Sequence, residues 1–397
     1  MRFEEMKQRL EGLVIFRDLL KDGVVSAFGE VLRARCQGDS DAFTVCCAEF
    51  ESRLFRYGDN WAAYLHNVAM ESENVCIRGY ASGVVTLVLE RSLQKELTFL
   101  DQLARIRLEE LTEGVENAPV FLEGWLTEGP SITEDYQQRM REVGSKGYGI
   151  FARYHMFTVE NGQLVPVKHP DPQQLEELPG YEQERQKVIA NTQALLDGKP
   201  ANNVLLYGDA GTGKSSAIKA IANEFADQGL RLVEVKKNQL YQIPDLMDSL
   251  AANPLKFILF IDDLSFTAND DNFAALKAIL EGSVGGRAQN IAVYATSNRR
   301  HLIKETLTDR AGDDIHESDT RQELMSLSAR FGLTITFASP DRERYLYIVG
   351  ELAKQYGLEM EKRELNVRSE AFAIRMGGRS ARVAKQFVEL CKAGVQD

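Results

Sequence analysis

The sequence predicts an α/β nucleotide-binding module on a parallel sheet, preceded by a mainly helical module and closed by a helical tail. Three observations carry this. Residues 208–215 read Gly-x-x-x-x-Gly-Lys-Ser between an apolar strand and a helix. From about Leu175 to Ser339 short apolar runs alternate with helical patterns, as a parallel sheet covered on both faces requires. Over the first 147 residues apolar positions recur instead at three- and four-residue spacing.

At 397 residues the chain exceeds the size at which a single core stops growing, so several domains are expected. With 44% hydrophobic and 27% charged residues it has the composition of a folded globular protein. Charges interrupt the apolar residues of the first twenty positions, unlike a signal peptide. No run approaches the roughly 20 apolar residues of a membrane span. A cytoplasmic protein with no membrane partner is the expectation. Cys36, Cys46, Cys47, Cys76 and Cys391 are odd in number and lack paired metal spacing, which suits reduced thiols. The net charge of −12, with 17 basic against 25 acidic residues over positions 1–147, excludes a general nucleic-acid footprint. Residues 340–397, with 11 basic and 9 acidic side chains, leave room for a local basic groove.

Phe3, Met6, Leu10, Leu13 and Val14, then Leu93, Leu97, Leu100, Leu103 and Ile106, have helical spacing, so residues 1–147 read as a helical bundle with a packing or docking role. Residues 148–174 read as a hairpin and linker. YGIFARYHMFTV alternates, Asn161-Gly162 is a two-residue turn signal, and Pro170 and Pro172 break both periodicities. Within residues 175–339 the strand candidates are Asn203–Tyr207, Arg231–Val235, Phe257–Ile261, Ile291–Ala295 and Leu333–Phe337. After Ser339-Pro340, residues 340–397 are helical.

The chemistry concentrates at strand ends. Gly208, Gly211 and Gly213 let the loop, with Asp209, Ala210, Thr212 and Ser216, point backbone N–H groups at phosphates, aided by the helix that follows. Lys214 reaches the β- and γ-phosphates and the Ser215 hydroxyl holds Mg²⁺. The strand Lys256–Ile261 delivers Asp262 and Asp263 to the same sheet edge. Asp262 suits the Mg²⁺-coordinating acid. Asp263 occupies the position of the residue that activates water, usually the longer Glu. Asn298, after a third strand, is a candidate for positioning that water. Arg330 and Arg382 are finger-type candidates in SLSARFGLTITF and GGRSARVAKQFV, although either alone reads as a surface ion-pair partner.

In this order the five motifs resemble the AAA+ ATPases over residues 175–397. GDAGTGKSS, ILFIDDLSF, YATSNRRHLI and LSARFGLTITF together resemble a bacterial group of predicted ATPases of unknown function, and Arg-Phe-Gly with Arg-Val-Ala is similar to the branch-migration helicase motor. The resemblance implies a five-stranded parallel sheet of order 5-1-4-3-2 and a helical lid after Pro340. It also implies ATP and Mg²⁺ as cofactors and a homo-oligomeric ring, such as a hexamer, or a partial ring. Asn298 becomes sensor 1, Arg382 sensor 2, and Arg330 a finger acting in trans. Leu178-Pro179-Gly180-Tyr181 matches the adenine-pocket segment, which makes Gly180 and Tyr181 nucleotide contacts.

Peptide-threading members carry an aromatic-x-Gly loop, and no glycine occurs here between Leu230 and Glu281, leaving Leu240-Tyr241 as a short contact loop at most. The acidic stretch Asp309–Glu323 reads as a solvated loop, with a partner-binding element as the alternative. The implied function is an ATP hydrolase that assembles and remodels or loads a client, a protein more readily than a nucleic acid. An ATP-dependent assembly switch with little hydrolysis is the alternative, because Asp263 is one methylene short. No Asn-Lys-x-Asp guanine signature supports a GTPase.

Overall fold

The computed structural model describes residues 2–115, 121–265, 272–281, 288–298 and 329–395. The acidic stretch 309–323 lies outside the described residues. The chain forms two compact units, Met1–Arg153 and Tyr154–Asp397.

The first unit is helical. Asp22, Asp39, Asn60 and Asn74 each accept backbone N–H groups in the first turn of the helix that follows, which satisfies donors no intrahelical carbonyl reaches. Its core is aromatic. Trp61 stacks on Phe28 at 4.7 Å, and Phe50 meets Trp125 edge-on at 4.7 Å. Both indoles have partners: Trp61 Nε1 donates to Leu103 O (3.0 Å) and Trp125 Nε1 to Ile106 O (2.9 Å). Leu93, Leu97, Leu100, Leu103 and Ile106 are buried, as their spacing predicts. Val14 is 72% exposed, because the helix ends at Glu11 and the period no longer applies beyond it.

The second unit is built on a sheet of seven described strands: β1 (Met156–Glu160), β2 (Gln163–Pro166), β3 (Val204–Gly208), β4 (Leu230–Glu234), β5 (Lys256–Ile261), β6 (Ile291–Ser297) and β7 (Leu333–Phe337). Their order is β2-β1-β4-β5-β6-β3-β7. The strands β3 to β7 pair in parallel and keep the order 5-1-4-3-2 implied by the resemblance.

The expected count of five is corrected to seven. The hairpin is not a separate connector: β1 runs parallel beside β4, with Met156 opposite Leu232, and β2 closes that edge antiparallel. Without it β4 would present a row of unpaired backbone groups. The alternating segment before it is shorter than the sequence suggests, because Ile150–Arg153 is a helical turn and the strand begins only at Met156. The linker is likewise anchored. Asn223, on the helix after the phosphate loop, donates to the carbonyls of Asp171 and Gln173, both at 2.9 Å.

Strands β5 and β6 are almost wholly buried, whereas β7 alternates because it forms the other edge. Helices Arg342–Gln355, Lys362–Arg375 and Ala381–Lys392 form the tail and share the core of the sheet through Tyr345, Ile348, Phe372 and Phe387. Among the described residues no helix is long and apolar enough to cross a membrane.

Trp61→Ala removes the centre of the aromatic cluster and the indole's hydrogen bond to the Leu103 carbonyl. A loss of about 3–5 kcal/mol is expected, read from urea unfolding followed by far-UV circular dichroism.

Candidate nucleotide-binding site

The register of β3 puts the phosphate loop where three elements converge. Gly208 pairs with Phe337, and at its φ of 142° an added Cβ would lie 2.0 Å from the Phe337 carbonyl oxygen, so only glycine lets the chain leave the strand here. Gly213 (φ 93°) caps the helix Lys214–Glu224, whose unpaired N–H groups face the loop. Thr212 Oγ1 donates to Asp209 O at 2.9 Å and tightens the turn.

Lys214 is buried, and its ammonium donates to Gly208 O (2.9 Å), Asp209 O (2.7 Å) and Asn298 Oδ1 (3.1 Å). Asn298 Nδ2 donates in turn to Asp263 Oδ1 at 2.8 Å, so one amide joins the phosphate-loop lysine to the second acid. Asp262 Oδ1 accepts three donors: Ser215 Oγ (2.6 Å), Thr296 Oγ1 (2.5 Å) and the Asp263 backbone N–H (3.1 Å). Among the described residues none donates to Asp262 Oδ2. An uncommitted carboxylate oxygen beside a serine hydroxyl is a hard oxygen donor pair that suits Mg²⁺. Among the described residues no group of three His, Cys, Asp or Glu could hold a metal.

These residues line a cavity of about 1050 Å³, near the upper end of the range for small-molecule sites. Its wall includes Ala210–Ser216, Asp262, Asp263, Thr296 and Asn298, with Leu178, Pro179, Ile348, Leu352 and Tyr356 as apolar lining. The tail closes onto the loop: the Arg382 backbone N–H donates to Gly211 O at 3.0 Å, and a Cβ at Gly211 would come within 3.0 Å of Arg382 Cβ. The final helix thus brings Arg382 to the cavity.

Several expected contacts take other positions. Gly208 and Asp209 do not line the cavity. The Asp209 carboxylate accepts the Ser339 backbone N–H at 2.8 Å, and its bonds to Ser339 hold it below the usual carboxylate range. A carboxylate would also repel the phosphates, whereas tying down the exit of β7 uses its charge locally.

Gly180 is outside the lining too, and its carbonyl accepts from Arg185 Nη1. Tyr181 reaches the cavity but acts as a bolt. Its ring stacks on Phe337 at 5.2 Å under the Arg344 guanidinium, its hydroxyl donates to Ala338 O at 2.6 Å, and burial pushes the phenol up to about 12. Leu178 and Pro179 line the cavity beside it.

Arg330 is absent from this cavity. It precedes Leu333, which pairs with Val204, whereas the phosphate loop begins at the other end of the strand pair, where Gly208 meets Phe337.

Sequence reading passed over Thr296, Gln355, Tyr356 and Lys385, all of which line the cavity. Two had a signal. Thr296 shares a strand face with Asn298 by alternation, and Lys385 shares a helix face with Arg382 by three-residue spacing. Gln355 and Tyr356 had none, because only lid packing brings them there.

Burial pulls the Lys214 ammonium below its ordinary value, against the opposing pull of Asp209, Asp262 and Asp263. A bound triphosphate favours the charged form, so ATP affinity should weaken as pH rises through this lowered value, before an ordinary lysine would lose its proton. Binding titrations from about pH 7 to about pH 10 test this. An affinity constant over that range, or a Lys214→Ala variant that binds ATP as the wild type does, would contradict it.

A protein named AAA-ATPase At5g57480 from Arabidopsis thaliana is 25% identical over 161 residues, 38% of this chain and 29% of that protein, so the match spans less than a third of the relative. Two solved structures of RuvB variants from Thermotoga maritima, 17% and 16% identical, each cover 56% of this chain and 65% of theirs with a TM-score of 0.38. The family model described as a protein of unknown function, DUF815, matches residues 151–395, more than half of the chain. The chain belongs to that family.

Proposed function

We propose that this chain binds and hydrolyses ATP with Mg²⁺ as an assembly of identical copies, a ring or partial ring in the cytoplasm, and uses the cycle to remodel or load a protein client. One observation supports the shared-site reading most. Lys214, Ser215, Asp262, Asp263, Asn298 and Arg382 line one cavity, while Arg330 stands at the opposite end of β7. A chain that keeps its own finger away from its own nucleotide has a use for it at a neighbour's.

On this reading the loop N–H groups hold the phosphates, and Lys214 exchanges the carbonyls of Gly208 and Asp209 for the β- and γ-phosphates. Mg²⁺, when bound at Ser215 and Asp262, offsets phosphate charge and polarises the γ-phosphoryl group. Asp263, oriented by Asn298, takes the proton of the attacking water as the bond from γ-phosphorus to ADP breaks. Arg330 of the adjacent copy stabilises the charge that develops. Arg382 couples nucleotide state to the lid through the contact at Gly211. The acidic balance of the chain favours a protein client over nucleic acid.

The alternative, an ATP-dependent assembly switch with little turnover, is favoured by one feature. Asp263 has a left-handed backbone (φ 51°), a conformation that suits aspartate better than glutamate and keeps its carboxylate close to the strand end. Phosphate release measured beside ATP affinity separates the readings, since a switch binds tightly and turns over negligibly.

For the shared site, Arg330→Ala should keep ATP affinity and lose on the order of 10³-fold in turnover. Turnover per chain should rise with protein concentration. Mixing Arg330→Ala with Lys214→Ala should recover part of the rate, because each variant retains the half that the other lacks. Turnover independent of concentration, with no recovery in the mixture, would sink the claim.

A further inference from the structure

We infer that Thr296 is a positioning residue whose one hydroxyl sets both acids of the site, orienting Asp262 for the cation and holding Asp263 in the backbone conformation that presents its carboxylate. This rests on the nucleotide reading above and adds to it a group that no motif identifies.

The argument begins with strand pairing. Thr296 lies near the end of β6, opposite Leu206 of β3, and is only 2% exposed. Its hydroxyl makes two bonds of opposite sense: Oγ1 donates to Asp262 Oδ1 and accepts the Asp263 backbone N–H at 2.9 Å. Its carbonyl accepts the Leu264 N–H at 2.7 Å. Three consecutive residues after β5 are therefore tied to one residue of β6.

Two consequences follow. First, Asp262 Oδ1 is committed to the Thr296 and Ser215 hydroxyls and the Asp263 amide, so the carboxylate cannot rotate freely and Oδ2 is the oxygen left for a cation. Mutation of a partner that orients a metal-binding carboxylate typically costs about 10–100-fold in metal affinity or activity. Second, Asp263 is one of three non-glycine residues with positive φ among the described residues. Such a conformation persists where the surroundings over-determine it, and here the bonds from Asp263 N–H and Leu264 N–H to Thr296 bracket the residue on both sides. Asn298 then fixes the carboxylate that the backbone has presented. The phosphate loop makes no hydrogen bond to Thr296 among the described residues, so removing the hydroxyl leaves the loop's own hydrogen bonds in place.

The test compares the full-length wild type with Thr296→Val, which is nearly isosteric and lacks the hydroxyl, and with Thr296→Ser, which keeps it. ADP affinity in EDTA reports the loop alone and should match in all three. The Mg²⁺ concentration that half-saturates tightening of ATP binding should rise about tenfold in Thr296→Val, with turnover falling by a similar factor, and should stay within about twofold of wild type in Thr296→Ser. Thermal unfolding monitors the fold, and Thr296→Ala replaces valine if the larger side chain unfolds the chain. A hydroxyl-free variant with the Mg²⁺ half-saturation of wild type overturns the role of Thr296 while leaving nucleotide binding intact. Wild type that binds neither ADP nor ATP overturns the nucleotide reading and this inference together.

Discussion

The parallel register of β3 between β6 and β7 is the constraint on which the rest of the second unit depends. Setting Leu206 opposite Thr296 and Gly208 opposite Phe337 brings the loop, the polar end of β6 and the exit of β7 to one edge of the sheet. Because β5 pairs with β6 in turn, Asp262 and Asp263 arrive at the same edge. A shift of one residue would turn each side chain to the other face of the sheet. The strand hydrogen bonds thus do more than hold the core, since they set the distances over which lysine, serine and two aspartates can cooperate.

That edge is closed by parts far away in sequence. The lid meets the loop through the Arg382 amide, and the segment after Pro170 is pinned to the phosphate-loop helix by Asn223. His155, just before β1, bonds the Asn223 side chain at 2.9 Å, so the hairpin edge and the cavity wall share one anchoring amide. Tyr181 joins the same frame by stacking on Phe337. A nucleotide entering here would press on elements of both the sheet and the tail.

Much of this was legible in residue order, and the misses have identifiable causes. The loop, the acids and the five parallel strands each have a local signature, because glycine placement, apolar runs and helix starts are properties of neighbouring residues. The hairpin was legible as a hairpin through Asn161-Gly162, but its pairing with β4 was not, since nothing in either strand names its partner. Asp209 and Tyr181 lie inside motif segments and looked like ligand contacts. Their side chains also tie the loop and the adjoining segment to the end of β7, a packing role that a motif does not state. Thr296 was passed over because its importance lies in a bond to Asp262, 34 positions away.

By itself the sequence determined the chemical inventory: a phosphate loop, two acids at a strand end, a polar amide after another strand, two separated arginines and a helical unit ahead of them. These follow from backbone freedom, apolar periodicity and side-chain type, which act over a few residues. Only the tertiary structure decided which of them meet. It joined Lys214, Asn298 and Asp263 into one hydrogen-bonded chain, gave Asp263 its left-handed backbone, drew the lid onto Gly211 and left Arg330 at the far end of its strand. The reason is geometric: hydrogen bonds reach about 3 Å, and only strand pairing and lid packing bring residues so distant in sequence within that reach.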